Sequence, residues 1–73
     1  MENELILTDK YGNRISLFAE DIIVIIETDH GCCVVTLFDE YEVIENFNKV
    51  RQMRNKAMAN NHDNEKYIKF SAQ

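Results

Sequence analysis

Five branched aliphatics stand in a row at Ile22-Ile23-Val24-Ile25-Ile26. Branching at Cβ stiffens the side chain and favours extended backbone, so the run reads as a β-strand. Successive side chains of a strand point to opposite faces, and this strand is therefore apolar on both. One layer of cover protects only one of those faces. With 73 residues, the chain has room for a single domain, and a domain of that size buries only about 60% of its unfolded surface. Burying even three of the isoleucines is worth roughly 5 to 9 kcal/mol before association costs. The second face must be closed by barrel-like curvature, by the C-terminal tail or by a second copy of the sheet, and the energy favours a homo-oligomer.

Around this run the chain reads as a meander. Leu5-Ile6-Leu7-Thr8 and Arg14-Ile15-Ser16-Leu17-Phe18 flank the turn formers Asp9 to Asn13, which predicts a hairpin. Ala19-Glu20-Asp21 forms an acidic connector, and Asp29-His30-Gly31 turns the central strand into Cys32-Cys33-Val34-Val35-Thr36-Leu37. Phe38-Asp39-Glu40 is a tight connection to a last strand, Tyr41-Glu42-Val43-Ile44.

From Glu45 onward the period changes: Phe47, Val50, Met53, Ala57 and Met58 recur at three- and four-residue steps, the mark of an amphipathic helix. Glu45 at its start suits the helix dipole. Asn60-Asn61-His62-Asp63-Asn64 favours a turn, so the helix is expected to end at residue 59. Tyr67-Ile68-Lys69-Phe70 then either adds a short edge strand or docks by its aromatics. The expected architecture is a single α+β domain, an antiparallel meander of four to five strands over residues 1–44, a helix over 45–59, and a turn and tail over 60–73.

The net charge of −5 hides an asymmetry, because residues 1–48 carry eleven acids against two bases and residues 49–73 carry six bases against two acids. Such a division marks a partner surface or complementary packing between subunits. Lys49, Arg51, Arg54 and Lys56 form the candidate patch for a protein partner or for nucleic acid. Ile22, Ile23, Val24, Ile25 and Ile26 form the candidate self-association face.

Chemistry is sparse by comparison. Adjacent Cys32 and Cys33 face opposite ways on a strand and do not bridge each other. His30 with either thiol lacks enough further ligands for zinc, since His62 and Asp63 lie in the asparagine-rich segment. A cysteine–histidine nucleophile needs a pocket and oxyanion donors that a meander this small scarcely offers. Gly12 and Gly31 are isolated, so no glycine-rich phosphate loop exists. The reading is a non-catalytic chain without metal or cofactor. An acidic start and aliphatic runs too short to cross a bilayer point to the cytoplasm. Eight asparagines without proline suit a bacterial or mobile-element origin.

The positions Leu7-Thr8, Gly12, Ile15, Ile22-x-x-Ile25-x-Glu27, Val34-x-x-Leu37, Tyr41-x-Val43-x-Glu45 and Val50 resemble the small bacterial FlbD-type flagellar and swarming-motility proteins. The stretch from Ile25 to Glu45 also resembles the closing half of LytTR-type DNA-binding domains. Both resemblances imply the meander topology; neither assigns a functional residue. Together these features lead to a small regulatory or interaction module that self-associates, with a nucleic-acid-associated regulator as the alternative.

Overall fold

A computed structural model describes the backbone of residues 3–62 and the side chains of residues 3–59. Strands β1 (Glu4–Thr8) and β2 (Arg14–Phe18) pair antiparallel, setting Leu5 opposite Leu17 and Leu7 opposite Ile15 on the buried face. Their turn is organised by Asp9, whose Oδ1 accepts the N–H groups of Tyr11 and Asn13 at 2.9 Å each. Those donors, Asn13 first, hold the Asp9 carboxyl below the ordinary carboxylate range. Gly12 closes the turn at φ +89°, a left-handed conformation that side chains resist.

A short 3-10 turn, Ala19–Asp21, leads into β3 (Ile22–Thr28), which pairs with β4 (Gly31–Thr36), which in turn pairs with β5 (Glu40–Val43). The helix α1 (Phe47–His62) follows. The protein is thus a small α+β fold of five antiparallel strands in two sheets and one helix after them. The sheets meet where β1 ends: Asp9 bridges Val43, the Ile44 N–H donates to the Thr8 carbonyl at 2.9 Å, and the Thr8 N–H donates to Glu45 Oε1 at 2.9 Å. Leu5, Leu7, Val34, Val50 and Cys32 are the largest fully buried side chains, so α1 closes the core over one face of the strands.

Both ends of the helix differ from expectation. Asn46 is the cap, its Oδ1 accepting the Lys49 N–H at 2.8 Å and its carbonyl accepting the Val50 N–H at 3.0 Å. Glu45 is therefore outside the helix and serves as the acceptor for β1 instead of as a first-turn acid. At the far end α1 runs through Asn60, Asn61 and His62, past the predicted stop at 59. Asparagine lowers helix propensity by well under about 1 kcal/mol per residue, which neither glycine nor proline reinforces here. The expected turn at Asp63-Asn64 and the tail over residues 63–73 lie outside the described residues.

Candidate functional site

The run of five aliphatics does not present one continuous face. Ile22 sits opposite Thr36 and Val24 opposite Val35, so Ile23 is an extra residue that bulges from β3. The bulge shifts the alternation. Ile22 is buried and Ile25, opposite buried Val34, is half-buried beneath the helix layer. Neither belongs to an exposed face, which corrects the five-residue reading. Ile23, Val24 and Ile26 remain 62%, 43% and 50% exposed.

Val24 and Ile26 share the outer face of the sheet with their cross-strand partners Val35 and Cys33, both half-buried. The next strand places Glu40 beside Val35 and Glu42 beside Cys33, so the outer face passes from aliphatic to acidic. Lys10 Nζ pairs with Glu42 Oε1 at 3.2 Å; both groups are well solvated, and such a pair contributes little stability. The expectation that one helix shelters only one face of this sheet holds for the described residues.

The four bases of α1 divide as well. At about 100° per residue, Arg51 and Arg54 fall on one flank of the Val50–Ala57 stripe, with Phe47, whereas Lys49 and Lys56 fall on the opposite flank. The Lys49, Arg51, Arg54 and Lys56 patch is consequently two surfaces. On the first, the Arg51 guanidinium lies 5.6 Å from the centre of the Phe47 ring. Arg54 is half-buried, and its Nε, shut off from solvent, has no hydrogen-bond partner.

These two sequence-predicted sites meet. A groove of about 240 Å³ runs between Ile22 to Ile25 on one side and Phe47, Arg51 and Arg54 on the other. The bulge breaks the alternation here, so four consecutive residues of β3 line the groove, and β3 is an edge strand that pairs with β4 alone among the described residues. Sequence reading missed this junction. The spacing Phe47-x-x-x-Arg51-x-x-Arg54 was its available signal, since it puts a ring and two guanidinium groups on one helix flank.

The remaining chemistry is muted. A second hollow of about 450 Å³ beside the first hairpin turn includes Lys10, Tyr11, Cys33 and Glu42. Burial, with Glu40 and Glu42 nearby, raises the Cys33 thiol above its ordinary value, and burial with Glu45 nearby raises Cys32. Both are thiols, not thiolates, at neutral pH. His30 is exposed in the β3–β4 turn. Among the described residues no group of three His, Cys, Asp or Glu side chains is placed to hold a metal ion, and no helix is long and apolar enough to cross a membrane. Leu37, expected to end the strand, lies past the last residue of β4, and with Phe38 of the expected tight connection it forms an apolar tip, the two being 65% and 78% exposed.

No family model, curated protein or solved structure matches this chain. The likeness to FlbD-type and LytTR-type proteins rests on the sequence positions alone.

Proposed function

We propose that this protein is a small non-catalytic regulatory or interaction module that associates with a second copy of itself through the outer face of β3 and β4. The observation that carries the reading is the exposure of Val24 and Ile26 at the centre of that face, beside half-buried Val35 and Cys33. Apolar surface left in water favours association in proportion to the area removed, and a matching aliphatic face is supplied by the same chain. The uneven charge, −9 over residues 1–48 and +4 over residues 49–73, adds complementary surfaces for orienting two copies. Two adjacent free cysteines suit a reducing, cytoplasmic setting.

Sedimentation equilibrium tests the proposal. The wild-type chain is expected to associate reversibly, and Ile26→Glu to be monomeric with its circular dichroism unchanged, because that side chain is half in solvent already. A wild-type chain that stays monomeric at high concentration removes the self-association reading.

A further inference from the structure

We infer that the β3–α1 groove is a docking site for an extended acidic segment of a partner protein, which adds to the edge of β3 as a strand and sets a carboxylate against Arg54 and Arg51. β3 pairs with β4 alone, so its other edge has no strand partner among the described residues. Free edges in stable proteins are commonly guarded by lysine, proline or a covering element. β3 carries neither of those residues; the bulge at Ile23 and the charge of Glu27 are the guards it has, and past the bulge its register runs unbroken from Val24 to Thr28. An added strand takes main-chain hydrogen bonds from such an edge and specificity from the side chains beside it.

Those side chains select the occupant. Ile23 and Val24 offer exposed aliphatic surface, while the Phe47 ring supports the Arg51 guanidinium from below. Arg54 brings a buried, unpartnered Nε to the same groove. Among the described residues no carboxylate lies within ion-pair distance of either arginine. A guanidinium presents parallel donors that match a carboxylate in bidentate fashion, and burial strengthens that bond. A segment alternating apolar and acidic residues satisfies all three features: its backbone meets the edge, its apolar side chains meet Ile23 and Val24, and its carboxylate meets the arginines.

This docking does not depend on self-association, and Val24, where the outer face meets the edge, is the residue that both surfaces share. A fluorescein-labelled peptide of alternating valine and glutamate, titrated into the full chain, provides the test. Saturable binding is expected, weakened at least about tenfold in Arg51→Gln/Arg54→Gln and by added salt, with no binding of a valine–lysine peptide. Arg51→Glu, at an exposed position, is expected to weaken binding even if the double variant folds poorly. Val35→Glu, on the outer face of β4 and away from the β3 edge, should bind as wild type, which separates this site from the self-association face. Amide shifts should cluster at Val24 to Thr28 and along the first turns of α1. Lack of binding, binding indifferent to both arginines, shifts confined to β2, or tighter arginine-dependent binding of a single-stranded oligonucleotide would each overturn the inference.

Discussion

The two glycines look alike in the sequence, each beside turn formers, yet they are required for different reasons. A Cβ on Gly12 would meet nothing within 4 Å, so only its left-handed backbone disfavours substitution. Gly12→Ala is expected to cost about 1–2 kcal/mol. At Gly31 a Cβ would overlap the Val43 carbonyl oxygen on the adjacent strand, and backbone cannot swing aside as a long side chain can. Gly31→Ala should therefore cost about 3 kcal/mol or more, through displacement of β5. Urea unfolding midpoints compare the two; equal losses would contradict the close approach of Val43. That both residues serve turns was legible from Asp9 to Asn13 and from Asp29 to Gly31. That one also makes room for a neighbouring strand was not, because the neighbour lies twelve positions away in sequence.

At the level of elements, β4 offers a sharp test because its side chains alternate while its composition scarcely does. Cys32 is 1% exposed and its Sγ donates to the Glu45 carbonyl at 3.5 Å, whereas Cys33 on the outer face is partly open to solvent. Iodoacetamide should alkylate Cys33 first and reach Cys32 only on unfolding, as followed by mass spectrometry of the native protein. Because both thiols are raised, the rate at Cys33 should be low at neutral pH and climb as alkali generates thiolate. Equal rates at the two cysteines would mean that β4 does not present them to opposite faces. The opposed orientation was readable from the strand period, but which cysteine turns inward was not. Helix α1 gives the converse lesson: its apolar stripe was plain, while the division of its bases on either side of that stripe was obscured by treating nearby charges as one patch.

For the molecule as a whole, the join between the two sheets is narrow, and Glu45 reinforces it by accepting the Thr8 N–H across 37 positions of sequence. Removing this carboxylate leaves a partly buried donor on β1 without its partner. Glu45→Ala is expected to lower stability by about 1–3 kcal/mol. Hydrogen exchange should show the Thr8 amide and the first hairpin losing protection well before the amides shared by β3 and β4. Uniform loss across both sheets would instead indicate that they open as a single cooperative body, with no weaker hairpin. The same junction explains why the sequence assignment of Glu45 to the helix failed: an acid ahead of an apolar periodic segment suits a helix start, and only the arrival of β1 beside it reveals the stronger claim on its oxygen.

Alternation, turn chemistry and the change to a helical period were enough to specify the kinds of element, their order and most of their limits, because each reflects local backbone preference acting over a few residues. Tertiary structure alone decided that Ile23 would bulge, that Ile22 and Ile25 would turn inward while Val24 and Ile26 stayed in water, and that Arg51 and Arg54 would line the open edge of β3. Those outcomes depend on register with β4 and on where α1 comes to rest. Both are settled by contacts between segments distant in the chain, which no local pattern of residues records.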